Sequence, residues 1–175
     1  MNTYKDATSP RDRTRTKQNY RTPENLVRAV VARFGPIAID LAASDGDEVV
    51  PLVDHITPEQ DSLARPWPTR RHPHGVLWLN PPYADIAVWA EKCADWAQRA
   101  TPGPVLCLLV PLSADSGWWR SWVRGRAHVL ALESRPIFRG EVSPYPKPMA
   151  LIVYDPRYPV QGSGVEGWNW KGIAR

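Results

Sequence analysis

The chain has 175 residues, 43% of them hydrophobic and 23% charged, which suits one packed domain and excludes global disorder. Lysine and arginine exceed aspartate and glutamate by 22 to 18, and the resulting +4 with a pI near 9.3 is compatible with a polyanionic partner without requiring one. No apolar run is long and uncharged enough to span a bilayer, and the polar, charged start does not read as a secretory leader, so the expected location is cytoplasmic.

Residues 1–21 carry Lys5, Arg11, Arg13, Arg15, Lys17 and Arg21 against Asp6 and Asp12, with almost no apolar periodicity. They read as a basic, flexible N-terminal arm and also as one that touches phosphates; the two readings are compatible. Thr22-Pro23-Glu24-Asn25 then starts a helix, with Thr22 as N-cap, Pro23 in the first helical position and Glu24 at the positive end of the dipole. Leu26, Val27, Val30, Val31 and Phe34 recur on one face, and Gly35-Pro36 stops the helix.

Ile37-Ala38-Ile39-Asp40-Leu41-Ala42 reads as a short strand that ends at an acidic residue, followed by Ala43, Ser44 and Gly46. A carboxylate at a strand's C-terminal end, before a turn of small residues, marks the switch point of a doubly wound sheet. There is no GxGxxG, which argues against a dinucleotide. A cofactor with an ammonium group and no phosphate, such as S-adenosylmethionine, suits this turn: Asp40 can hold the ammonium, and Ala42 and Ser44 let the backbone approach. The other reading of Asp40, a cap for the following segment, stays open.

Residues 45–60 are irregular, with a second strand expected near 52–57. Asp61 follows in a turn, about twenty residues beyond Asp40, where nucleotide-binding folds place an acid on the ribose or adenine; an exposed loop acid is the alternative. Residues 65–74 form a basic, proline-rich loop in which Arg70 and Arg71 are candidate phosphate contacts. His72 and His74 lack cysteine or acidic companions and do not suggest a metal site.

Val76-Leu77-Trp78-Leu79 reads as a buried strand that stops at Asn80-Pro81-Pro82-Tyr83. Proline fixes φ and donates no N–H, so the Asn80 amide oxygen and the Pro81 carbonyl can be aimed at one point beyond the strand. Two acceptors suit a planar NH2 group, whose lone pair is otherwise delocalised. Accepting hydrogen bonds from both N–H groups lets that nitrogen turn tetrahedral and attack. Tyr83 supplies a flat face for a base extruded from a duplex.

Residues 86–100 follow as an amphipathic helix, with Ile86, Trp89, Ala90, Cys93, Ala94 and Ala97 at helical spacing. Residues 105–110 are a continuous apolar run, as in a parallel sheet covered on both faces. Cys93 and Cys107 read as reduced core thiols. Residues 115–123 form a short helix whose Trp118, Trp119 and Trp122 cannot all face the core, so at least one faces a groove or partner. After a strand at 127–132, Arg135, Phe138 and Arg139 interleave an aromatic with two arginines. That suits a stacked base with nearby phosphates, or an ordinary basic loop with Phe138 turned inward. Residues 149–154 are the last expected strand, and 156–175 read as a loose Pro/Gly/Trp tail.

Thr22-Pro23-Glu24-Asn25, Asp40-Leu41-Ala42-Ala43-Ser44, Asp61-Ser62-Leu63, Asn80-Pro81-Pro82-Tyr83 and Arg135-Pro136-Ile137-Phe138 occur in the order seen in small phage-type (Dam-type) DNA N6-adenine methyltransferases. The chain resembles that family over residues 22–155. The resemblance implies an α/β fold, a mostly parallel twisted sheet flanked by helices, of the Rossmann-like S-adenosylmethionine-dependent type. It implies methyl transfer to adenine N6 in double-stranded DNA with base flipping and no metal. Asn80, Pro81, Pro82 and Tyr83 would be catalytic, and Thr22, Pro23, Asp40, Ala42, Ser44, Asp61 and Asn80 would meet the cofactor. Arg70, Arg71, Trp118, Arg135, Phe138 and Arg139 are the candidate DNA contacts. Because the quartet recognises NH2 rather than adenine, cytosine N4, RNA adenine or a protein glutamine are alternative acceptors. A non-catalytic nucleic-acid-binding protein that keeps the fold is a further alternative.

Overall fold

A computed structural model describes residues 20–44, 54–70, 72, 74–100, 103–157, 160, 162 and 164–172. The N-terminal arm up to residue 19, residues 45–53 and Arg71 lie outside the described residues, and with them most of the irregular stretch before the second strand.

The elements in chain order are α1 (Glu24–Phe34), β1 (Ile37–Asp40), β2 (Asp54–His55), β3 (Val76–Leu79), α2 (Ile86–Arg99), β4 (Val105–Pro111), α3 (Gly117–Trp122), β5 (His128–Leu132), β6 (Met149–Tyr154) and β7 (Val165–Trp168). They build one seven-stranded sheet in the order β2-β1-β3-β4-β6-β5-β7. The first four strands in that order run parallel, β6 runs antiparallel to β4 and β5, and β7 is parallel to β5. This is the mostly parallel sheet that the apolar runs imply.

Every residue of β3 and β4 is buried because helices cover both faces. Alternate side chains divide between two apolar layers. Leu106, Leu108 and Val110 join Trp89, Cys93 and Trp96 of α2, whereas Val105, Cys107 and Leu109 join Leu26, Val27 and Val30 of α1. Burial pushes both cysteine thiols up from their usual pKa, so they stay protonated and inert.

From β1 the chain goes to β2 on one side and then to β3 on the other, so the strand order reverses between β1 and β3. A crevice opens at the C-terminal ends of two such strands. Asp40 closes one and Asn80 follows the other, with the Leu41 N–H donating to the Trp78 carbonyl between them at 2.8 Å.

Two local expectations change. Pro23, not Thr22, is the N-cap of α1, and no side chain caps that helix; the Thr22 hydroxyl is used elsewhere. The C-terminal tail is not loose throughout. Its residues 165–168 add β7 to the free edge of β5, and Trp168 and Trp170 are buried against α1 and the strand ends. Arg33 ties α1 to this edge through Glu166 at 2.9 Å and lies 5.5 Å from the Trp168 ring centroid. Trp170 also donates its indole N–H to the Ser134 carbonyl at 2.8 Å.

Trp170→Ala removes a fully buried ring and a hydrogen bond. We expect it to lower the unfolding free energy by about 3–5 kcal/mol, measured by denaturant titration. A loss within experimental error would mean that the C-terminal segment is dispensable to the core.

Candidate active site

A cleft of about 340 Å³ opens at the C-terminal ends of β1 and β3. Thr22, Asp40, Ala42, Ser44, Asp61 and Asn80, all singled out from the sequence, line it together with Pro82. Pro23 and Pro81 are buried and are not in its lining. The cleft also takes in Ser62 and Leu63 of the Asp61-Ser62-Leu63 motif, and Tyr20, Arg21, Ile56, Thr57 and Trp89, which no local motif marks.

Asp40 is buried, and its Oδ1 accepts the Ala42 N–H at 3.0 Å. Backbone bonds from Ala43 N–H to the Ile56 carbonyl and from Ile56 N–H to the Asp40 carbonyl clamp the same turn against β2. Asp40 thus both stiffens its own turn and lines the cleft. Asp61 is exposed, with φ 46°, and its Oδ1 accepts the N–H groups of Leu63 and Ala64, each at 3.2 Å. An aspartate tolerates that left-handed conformation and closes such a turn.

Lys92 on α2 fastens this turn. Its ammonium donates to the carbonyls of Ser62 (2.8 Å), Leu63 (2.8 Å) and Arg65 (2.6 Å) and sits 4.6 Å from the Trp67 ring centroid. Burial lowers the Lys92 pKa, and the nearby Asp61 carboxylate opposes that shift. Trp67 bonds Ser62 through its indole N–H at 3.0 Å and stacks on Trp89 at 6.4 Å. Trp89 passes this support on to the cleft wall.

Asn80 is held on both sides of its amide. Nδ2 donates to the Tyr20 carbonyl and to Thr22 Oγ1 at 3.1 Å, and Oδ1 accepts the Tyr83 hydroxyl at 2.8 Å. Burial, with the neighbouring Tyr145 and Tyr20 phenols, pushes the Tyr83 hydroxyl well above its usual pKa, so it keeps the proton it donates. The Tyr83 ring is half-buried. Tyr20 stacks on it at 5.6 Å and 19°, and Tyr145 meets it edge-on at 5.7 Å.

The candidate DNA contacts separate. Phe138 is buried and packs on Tyr20 at 5.0 Å and Tyr145 at 5.7 Å. It is a correction to the surface-stacking expectation: the ring gains more by completing this aromatic cluster than it would in solvent. Arg70 is exposed but follows Thr69, whose carbonyl abuts Gly103 just before β4. That is the N-terminal edge of the sheet, away from the cleft, as it must be for a loop leading into a parallel strand. Arg135 and Arg139 lie in the loop between β5 and β6, which emerges at the cleft edge. There the Arg139 N–H donates to the Arg21 carbonyl at 2.8 Å. Arg135 is exposed and donates to the Pro146 carbonyl at 3.2 Å. Trp118, after β4, is half-buried against Trp119 at 5.5 Å.

S-adenosylmethionine fits the residues of the cleft. Its sulfonium and ammonium outnumber its carboxylate, and Asp40 and Asp61 outnumber Arg21 in the lining. Ile56, Leu63 and Trp89 offer apolar walls for its base. Among the described residues no helix is long and apolar enough to cross a membrane, and no group of three metal-ligating side chains forms.

A crystal structure of a protein from Listeria monocytogenes, assigned to the class I S-adenosylmethionine-dependent methyltransferases, superposes with a TM-score of 0.50 at 12% identity. The match covers 87% of this chain and 66% of the Listeria chain, just under two thirds of its length. It establishes the fold as the Rossmann-like, class I methyltransferase type. No curated protein matches the sequence. The family model described as DNA N-6-adenine-methyltransferase (Dam) matches residues 10–144, from within the N-terminal arm to the loop before β6. The match takes in the cleft and the Asn80–Tyr83 quartet, and the chain belongs to the DNA N-6-adenine-methyltransferase (Dam) family.

Proposed function

We propose that this chain transfers a methyl group from S-adenosylmethionine to the N6 amine of an adenine extruded from double-stranded DNA, in the cytoplasm of the cell that holds that DNA. The observation that carries this reading is the shared cleft: the Asn80 amide borders the same cavity as the buried carboxylate of Asp40. When bound, the cofactor supplies an electrophilic methyl group.

The protein's part is positioning and acceptance of hydrogen bonds. Asp40 and the turn of Ala42 to Ser44 would hold the cofactor's polar end, and Asp61, Ser62 and Leu63, in the turn fixed by Lys92, would meet the rest of it. Asn80 Oδ1 and the Pro81 carbonyl accept the two N–H bonds of the amine, which frees the nitrogen lone pair. Pro81 and Pro82 add no competing donor. The extruded base replaces the Tyr20 ring on the face of Tyr83. Orientation of this kind is worth several kcal/mol of barrier without any covalent step on the enzyme.

DNA contact falls to the loops around the cleft, Arg135, Arg139 and Trp118, and to the basic arm. So small a set of contacts supports short or loose sequence preference. Digestion of methylated DNA to nucleosides, followed by mass analysis, separates N6-methyladenine from N4-methylcytosine and from no product; either of the latter two would overturn the reading.

Three outcomes are expected. Asn80→Ala should lower turnover roughly a hundredfold or more while S-adenosylmethionine affinity stays within about twofold, by analogy with loss of one transition-state hydrogen bond. Lys92→Met leaves the Ser62, Leu63 and Arg65 carbonyls without their donor. Since a charged hydrogen bond is worth about 1.5–3 kcal/mol, we expect cofactor affinity to fall about tenfold by calorimetry without DNA. Deleting residues 1–19 removes Lys5, Arg11, Arg13, Arg15 and Lys17. With half of them on phosphates, the log–log salt dependence of duplex binding flattens by roughly two units. Parallel slopes would reduce the arm to a bystander.

A further inference from the structure

We infer that Thr22 is a positioning residue for the reaction: its hydroxyl holds the Asn80 amide in the orientation that the Tyr20 carbonyl selects. This deepens the proposed function and rests on it.

An asparagine amide is nearly symmetric in shape, yet only one of its two orientations presents the oxygen as acceptor. The other presents NH2 to an amine that must donate, and the amine clamp fails. The partners of Asn80 remove the ambiguity. The Tyr20 carbonyl can only accept, so the group facing it must be Nδ2. Thr22 Oγ1 stands on the same side, 3.1 Å from Nδ2. On the other side, the Tyr83 hydroxyl donates to Oδ1 at 2.8 Å. A reversed amide would set oxygen against the Tyr20 carbonyl, a repulsion that no rotation of the Thr22 or Tyr83 hydroxyl relieves.

Thr22 is free for this work because it does not cap α1. Pro23 takes the N-cap position, and the first turn is met by Asn25 Oδ1, which accepts the Leu26 N–H at 3.0 Å. Thr22 is 1% exposed although it borders the cleft, so its hydroxyl has little solvent to turn to. Its backbone is equally constrained. A residue before proline is held extended, and the Arg21 carbonyl is tethered by the Arg139 N–H at 2.8 Å. The segment therefore meets Asn80 tethered by an isolated bridge to Arg139.

The test compares Thr22→Val, which keeps the shape and loses the hydroxyl, with Thr22→Ser, which keeps the hydroxyl. For each, kcat and KM are measured on duplex DNA with labelled S-adenosylmethionine, and cofactor affinity is measured by calorimetry without DNA. The side-chain amide resonances of Asn80, identified by their loss in Asn80→Ala, are followed by NMR in the DNA-free protein. We expect Thr22→Val to lower kcat about tenfold or more with cofactor affinity within about twofold, and to shift the Asn80 amide resonances. Thr22→Ser should restore both. An unchanged kcat overturns the inference. So does weakened cofactor binding with kcat intact, which makes Thr22 a cofactor contact. A serine variant as impaired as the valine one would assign the effect to packing and overturn it too. If the wild-type chain methylates no DNA, the functional reading falls. The amide resonances then decide the Thr22 contact alone, and their failure to move in Thr22→Val overturns it.

Discussion

Parallel strands covered on both faces leave only their ends for chemistry. In this chain β3 and β4 have no exposed residue, so nothing on the faces of the central sheet can meet a ligand. The opening arises where β1 and β3 lie side by side and the chain leaves them in opposite directions. Asp40 and Asn80 stand at that opening as consequences of strand pairing, with Asp40 and Trp78 in register one residue short of the turn. The proline pair after Asn80 then turns the backbone away without placing a donor beside the amide.

The parts legible in the sequence were those whose cause is local. A strand of apolar residues that stops at Asn80-Pro81-Pro82-Tyr83 announces itself, as does the small-residue turn after Asp40. The continuous apolar run of β4 could only belong to a sheet covered on both sides. What escaped depends on distant parts of the chain. The Tyr20 carbonyl meets Asn80 across 60 positions of sequence, and Lys92 reaches Ser62 across 30. Neither residue sits in a motif. Strand β7 is four residues long and alternates poorly, and among the described residues it pairs with the edge of β5 alone. Phe138 looked like a stacking platform between two arginines, but its burial is set by Tyr20 and Tyr145. Arg70 was different, since a loop that feeds a parallel strand must lie at the sheet's N-terminal edge, and topology alone places it away from the cleft.

The hydroxyl of Tyr83 changes the picture of that residue. Sequence reasoning gives work to the ring face only. In the structure the hydroxyl also bonds Asn80, and burial keeps it protonated. Tyr83 therefore has two attachments to the site, one through its face and one through its edge. Lys92 plays a comparable double part on the other wall, where one ammonium satisfies three carbonyls while its stem and charge lie against Trp67. Charge in this site fastens backbone at Lys92, and in the cleft lining it is carried by Asp40, Asp61 and Arg21.

The ring of Tyr20 on Tyr83 bears on affinity. A base brought to that face is an exchange of stacking partners, so binding registers only the difference between a base–aromatic contact of about 1–3 kcal/mol and an aromatic pair of about 0.5–1.5 kcal/mol. For a free nucleoside that margin is small against the freedom it gives up on binding. A base joined to a phosphate backbone already gripped nearby arrives at a high effective concentration, and for it the same margin suffices. On the proposed reading the resting tyrosine would act as a filter on molecularity, turning away loose monomers and yielding to polymer.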